Sequence, residues 1–184
     1  MNIVGRFLRM LVSEKIVQLN KKFFISSLII IASFALDRFS KIYILQTFIE
    51  KNFEEQFINQ FLNFILVWNK GIAFGLFQSE TFFYQFISLL ILLIVLFILY
   101  LIFRSDSLVE IVSFSMITGG ALGNLFDRFY YQAVPDFIDF HYGDFHWFTF
   151  NVSDICISTG VILLLIFDMF KFKKDEIDEN KQTK

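Results

Sequence analysis

Asn124, Asp127, Arg128, Asp136 and Asp139 interrupt an otherwise apolar run within the stretch Gly119 to Asp139. A second polar island, Asn151, Ser153 and Asp154, opens the next apolar run, so acids flank a short connecting loop on both sides. Charges in so hydrophobic a setting are costly and call for a functional reason. Two carboxylates held close cannot both ionise cheaply, so one keeps its proton near neutral pH. The ionised member can then take a proton from water while the protonated member polarises a peptide carbonyl, the logic of an aspartic protease. Acids buried in membranes also serve proton relays and ion pathways, and spacing alone leaves both readings open.

Other chemistries have less behind them. His141 and His146, with Asp139 and Asp144 nearby, have the donor types of a metal site. Two histidines in an aromatic loop fit an interfacial position better, and neither a metal nor any other cofactor is expected. Ser40 and Lys41 are adjacent on a helix, which points their side chains apart and argues against a Ser-Lys protease. Cys156 has no neighbouring His to act as a base and reads as a packed thiol. As the single cysteine it excludes an intrachain disulfide.

The composition sets the environment in which these residues work. With 56% hydrophobic and 18% charged residues and a mean hydropathy of +0.61, the chain reads as an integral membrane protein. A net charge of -2 gives nucleic-acid binding no electrostatic support. The 28 phenylalanines are too many to be interfacial anchors alone and carry no functional weight.

Four apolar stretches, 23–45, 81–103, 108–128 and 150–170, have about the 20 residues needed to cross a bilayer. Residues 1–22 carry Arg6, Arg9, Lys15, Lys21 and Lys22 against Glu14, with Ile3, Phe7, Met10, Leu11 and Val17 at helical spacing, which predicts an amphipathic interfacial extension. Asp37 and Lys41 lie toward the far end of the first span, four residues apart on one helix face, where they can pair. Residues 46–80 are polar, with strand-like composition in Phe61 to Trp68 and a turn at Asn69-Lys70-Gly71. Gly71 and Gly75 bracket a small apolar core where backbone can approach a ligand closely. The second span, free of charge, reads as scaffold. Gly119 and Gly123 in the third form a GxxxG pair that lets helix backbones pack closely. Asp168 reads as a solvated helix-end charge, and 171–184 as a cytoplasmic tail.

Lys and Arg counts set the orientation. Eleven of the 16 basic residues fall in the N-terminal segment, at Arg104 and in the C-terminal tail. The positive-inside rule therefore puts both termini in the cytoplasm and puts 46–80 and 129–149 outside. Asp37, Asp136 and Asp154 then share the outer face.

Here the residues carry a resemblance. Asp37-x-x-x-Lys41, Asn69-x-Gly71-x-Ala73-Phe74-Gly75, Gly119-Gly120-Ala121-Leu122-Gly123-Asn124-x-x-Asp127-Arg128, Val134-x-Asp136-Phe137 and Phe150-Asn151-x-x-Asp154 occur in the order seen in lipoprotein signal peptidase, also called signal peptidase II. The chain resembles that family from Asp37 to Asp154. The resemblance implies an all-α membrane protein of four transmembrane helices with a small periplasmic β-cradle after the first. It implies a bacterial inner-membrane location and an aspartyl dyad that cleaves the signal peptide before a diacylglyceryl-modified cysteine. Diacylglyceryl-prolipoproteins and membrane lipids are the implied partners, and the chain is expected to act as a monomer. Matched by motif, the catalytic pair falls on Asp136 and Asp154, with Asp37, Lys41, Asn69, Gly71, Asn124, Asp127, Arg128 and Asn151 in support. Asp127 is the other contender for the dyad. Four positions depart from the family's usual residues: Arg38 for Gln, Gln132 for Gly, Pro135 within the Val-x-Asp-Phe motif, and Ser153 for Ala. Pro135 matters most, since its fixed φ bears on how Asp136 is presented. A small proton- or ion-coupled carrier using the same acids is the alternative, although the two halves show no internal repeat.

Overall fold

A computed structural model of the chain describes residues 3–70 and 81–182, with side chains described within 16–70 and 84–173. Its elements are α1 (Ile3–Glu50), β1 (Gln56–Asn59), β2 (Leu62–Asn69), α2 (Thr81–Arg104), α3 (Leu108–Tyr131), β3 (Val134–Tyr142), β4 (Phe145–Phe150) and α4 (Val152–Gln182). Among the described residues, four helical stretches are long and apolar enough to cross a membrane: Ile16–Glu50, Tyr84–Arg104, Leu108–Tyr131 and Val152–Lys173.

Two boundaries differ from the sequence expectation. Residues 3–22 are not a separate helix but run unbroken into the first span, which ends at Glu50 and not at Leu45. At ~1.5 Å per residue the 35 residues from Ile16 to Glu50 measure about 50 Å, well beyond a 30 Å hydrocarbon core. The surplus at the C-terminal end is held by packing, because Ile44 and Phe48 bury themselves against Phe137 of the sheet. The helix stops where Asn52 and Phe53 take left-handed backbone angles. At the other end of the chain, α4 continues to Gln182, so Asp168 lies within a helix and not at its end.

The larger correction concerns 129–149, which the sequence suggests is a loop. It folds as β3 and β4 and joins β1 and β2 in one antiparallel sheet of order β1-β2-β3-β4. β3 alternates: Phe137, Asp139 and His141 are buried, while Phe140 and Tyr142 are exposed. Pro135 fits because the ladder to β4 begins only at Ile138. At Pro135 that side of β3 is still an edge, where a missing N–H is tolerated. Half of the sheet therefore comes from residues far along the chain from the expected cradle.

The helices close on one another through glycines. A Cβ on Gly119 would lie 2.7 Å from both Ile30 O and Ser33 Cβ of α1, and one on Gly123 would overlap Asp37 and Ser153 Oγ. α3 is thereby drawn against α1 and α4 at the level where the polar residues lie.

Candidate active site

The deepest part of the site is an ion cluster at the crossing of α1 and α3. Lys41 is 1% exposed and its Nζ reaches Asp37 at 2.9 Å, Asp127 Oδ2 at 2.5 Å and Asn124 Oδ1 at 3.0 Å. Arg38 brackets the same two acids, 2.7 Å from Asp37 Oδ2 and 2.6 Å from Asp127 Oδ1, with its guanidinium 4.8 Å from the ring centroid of Phe126. Two acids and two bases make the cluster formally neutral, the condition on which buried charge is tolerated. Asp37 has a further task, since its Oδ1 accepts from the backbone N–H of Ser153 at 2.9 Å in the first turn of α4. A carboxylate there satisfies an otherwise orphaned donor and complements the helix dipole.

From Lys41 a chain of carboxamides leads outward. Asn124 accepts from Lys41 through Oδ1 and donates through Nδ2 to Asp154 Oδ1 at 2.8 Å. Asn151 then joins the two remaining acids. Its Nδ2 donates to Asp136 Oδ1 at 2.6 Å, its backbone N–H to Asp154 Oδ2 at 3.1 Å, and its Oδ1 accepts from the backbone N–H of Asp154 at 3.2 Å. Asn69 at the end of β2 donates to the other oxygen of Asp136 at 3.0 Å. Burial pushes the Asp136 carboxyl up to about 6, the dominant effect over the lowering by the Asn151 and Asn69 hydrogen bonds, with the nearby Asp154 charge adding to the rise.

Asp136 and Asp154 open into one cleft of about 860 Å³. Asn69, Asn124, Arg128 and Asn151 also line it, while Ile87, Leu90, Ile91 and Ile94 of α2 form an apolar wall. Trp147 to Phe150 of β4 close another side. Arg128 places its guanidinium 5.2 Å from the ring centroid of Tyr84 on α2. A hydrogen-bonded group of polar residues thus meets a largely hydrophobic cleft wall, the form of a site for an apolar ligand with one reacting polar bond.

The structure brings together Asp37, Lys41, Asn69, Asn124, Asp127, Arg128, Asp136, Asn151 and Asp154 in one site. Asp127 belongs to the ion cluster and is not among the residues lining the cleft. Gly71, and with it Ala73 to Gly75, lies outside the described residues. Arg38, one of the three charges that interrupt the first span and a departure from the family's usual Gln, shares the Lys41 cluster. Its signal in the sequence was its place beside Asp37 on the helix that carries Lys41. Cys156 is buried on α4, packed toward Gly120.

The family model described as Signal peptidase (SPase) II matches residues 29–171. A lipoprotein signal peptidase of Pelagibacter ubique (strain HTCC1062) is 42% identical over 161 residues, covering 87% of this chain and 96% of that protein. One of Anaplasma marginale (strain Florida) is 35% identical over 152 residues, covering 81% and 86%. Among solved structures, a bacterial membrane enzyme determined by the in meso method at 2.3 Å superposes with a TM-score of 0.67 at 26% identity, covering 81% of this chain and 90% of that one. None of these relatives supports the carrier alternative.

Proposed function

The chain belongs to the signal peptidase II family, and from that premise we propose that it is an aspartyl endopeptidase that removes the signal peptide from diacylglyceryl-modified prolipoproteins, cutting before the lipidated cysteine. The observation that carries the reading is that Asp136 and Asp154 line one cleft and are both bonded to Asn151.

The chemistry follows from that pairing. With one proton between the two carboxyls, the ionised one abstracts a proton from a water in the cleft as its oxygen attacks the scissile carbonyl carbon. The protonated one donates to the carbonyl oxygen, which becomes a hydroxyl of the tetrahedral diol. Collapse of the diol breaks the C–N bond as the proton taken from water passes to the leaving amine. The other carboxyl recovers its own proton from the diol, so the dyad ends as it began. Asn124, Asn151 and Asn69 hold the carboxylates by donated hydrogen bonds without adding charge, and Lys41 holds Asn124. The apolar wall of α2 suits the acyl chains of the lipidated cysteine, and burying them offsets the cost of ordering the peptide over the dyad.

The protein is a multi-pass protein of the bacterial inner membrane, with both termini cytoplasmic and the sheet and dyad on the outer side, as the distribution of Lys and Arg favours. Asp37, Lys41, Arg38 and Asp127 are positioning residues in this reading.

The test is to incubate the purified protein in detergent with a diacylglyceryl-modified prolipoprotein. A shortened lipoprotein is expected from the parent protein and none from Asp136→Asn. An unchanged precursor in both lanes would remove the endopeptidase reading.

A further inference from the structure

We propose that Asp139, His141 and His146 form a binding site for a divalent transition-metal ion of the Zn2+ type, at the outer end of the β3–β4 hairpin and separate from the catalytic cleft. Asp139 and His141 stand two apart on β3 and are both buried, hence on one face. His146 is the cross-strand partner of His141. One donor atom from each of the three lies within 4.8 Å of the others. Asp139 Oδ2 is 2.8 Å from His146 Nδ1 and 3.6 Å from His141 Nδ1. Tetrahedral zinc with ligand bonds of about 2.0–2.1 Å separates its donors by roughly 3.3 Å, which those two distances bracket. Two imidazoles and one carboxylate are also a donor set that zinc enzymes use, leaving a fourth position for water.

Two further observations point to a ligand. His141 is 8% exposed, and its Nδ1, turned toward Asp139, has no hydrogen-bond partner. Asp139 is 1% exposed, and among the described residues its carboxylate is hydrogen-bonded to His146 Nδ1 at 2.8 Å and faces His141 Nδ1 at 3.6 Å, with no Lys or Arg ion-paired to it. A buried carboxylate held by an imidazole alone, with no Lys or Arg beside it, and a buried imidazole nitrogen without a hydrogen bond are both answered by one cation placed between them. Directly across the ladder from Asp139, the buried Asn63 also has a carbonyl oxygen without a partner.

Entry and rigidity are both provided. The His146 side chain is 53% exposed, so the site is open to an ion from outside the protein. The His141 backbone N–H is fixed to Phe61 O at 3.0 Å, and the Tyr142 ring stacks on Phe61 with centroids 6.0 Å apart. A metal here joins β3, which carries Asp136, to β4, which leads directly into Asn151. Its function is to pin those strands, since Asp136 lies three residues back along β3, about 10 Å from Asp139.

The experiment uses the full chain in detergent, stripped with chelator and exchanged into metal-free buffer. Zn2+ is titrated by calorimetry, and Co2+ is added to a second sample to read ligand-field absorption. The parent should bind one equivalent saturably, with a rise in Tm as the metal is added. Even loss of a residue behind a ligand weakens metal sites 10–100-fold, so His146→Ala should weaken binding by at least about tenfold. Its half-exposed position lets the variant fold, which an unchanged metal-free Tm will show. His141→Ala should behave likewise, while Asp136→Asn and Asp154→Asn should leave the affinity as in the parent. No saturable binding by the parent, or a loss below tenfold in folded His146→Ala, overturns the site. A loss caused by Asp136→Asn or Asp154→Asn moves the metal to the cleft and overturns it equally.

Discussion

Asn151 and Asp154 cap each other. The Asn151 side chain accepts from the backbone N–H of Asp154, and the Asp154 side chain accepts from the backbone N–H of Asn151, a reciprocal box at the start of α4. The box commits one carboxylate oxygen of Asp154 to its own helix and leaves the other to Asn124. A proposed catalytic acid is thereby built into a helix terminus, and its geometry is inherited from the fold.

That double use separates two variants. Asn151→Ala removes the cap and the hydrogen bond to Asp136, and should lower stability by about 1 kcal/mol and cleavage by at least about tenfold. Asn151→Ser restores a capping oxygen but cannot reach Asp136 as the carboxamide does. It should recover the melting temperature without recovering turnover. Thermal unfolding beside a cleavage assay checks both, and recovery of turnover by Ser would reduce Asn151 to a cap.

The pH dependence of stability should carry the signature of Asp136. Its carboxyl ionises near 6 in the folded chain, against an ordinary value of 3.8, so the folded state holds this proton more tightly than the unfolded. The stabilising effect is complete below about 3.8 and is lost as pH rises through about 6, on the order of 2–3 kcal/mol in all. Asp136→Asn has no such proton to lose. It should melt at a higher temperature than the parent at pH 7.5 and at a similar one at pH 4. Equal melting temperatures at pH 7.5 would show that burial of the carboxyl carries no penalty.

How far the sequence reached is clearest at Lys41. Its pairing with Asp37 was readable because four residues on one helix face is a local matter. Its contact with Asp127, 86 residues away, needs α1 and α3 to be side by side. The GxxxG spacing hinted at close packing without naming the partner helix. The β3–β4 hairpin was missed because its turn is only Gly143-Asp144 and its strands interleave aromatic residues with acids and histidines, which blurs the alternation that marks a strand. The continuity of α1 was missed for a related reason. A run of basic residues before an apolar span reads as an interfacial piece, whereas nothing in it breaks a helix.

Gln132 ends α3 with φ at +56°. That left-handed region favours glycine, the residue usual there in the family, and holding another side chain in it costs roughly 1 kcal/mol. Gln132→Gly should therefore raise stability by about 0.5–1 kcal/mol, some of the gain being offset by a more flexible unfolded chain. A lower melting temperature would mean that the Gln132 side-chain hydrogen bond to Phe129 O outweighs the backbone strain.

Cys156→Ala should leave turnover within about twofold of the parent. The thiol is buried on α4 and lies beyond the cleft lining, and a nucleophilic sulfur needs a base beside it. Loss of cleavage in a folded Cys156→Ala protein would require a different mechanism.

Asp127 and Asp136 should separate stability from turnover in opposite directions. Asp136→Asn and Asp154→Asn should each abolish cleavage, and the double variant should be little worse than either, because residues that act as a unit are non-additive. Asp127→Asn instead removes one charge from the buried cluster and leaves Lys41 and Arg38 with only Asp37 to balance them. Breaking such a cluster costs up to about 3–5 kcal/mol, less here because the carboxamide still accepts one hydrogen bond. The melting temperature should therefore fall, while the fraction still folded at low temperature cleaves measurably. Asp136→Asn should show the reverse, a stable protein that does not cleave. If Asp127→Asn were folded and inactive while Asp136→Asn turned over normally, the dyad would have to be reassigned to Asp127 and Asp154. The ion cluster around Lys41 would then be part of the chemistry and not its support.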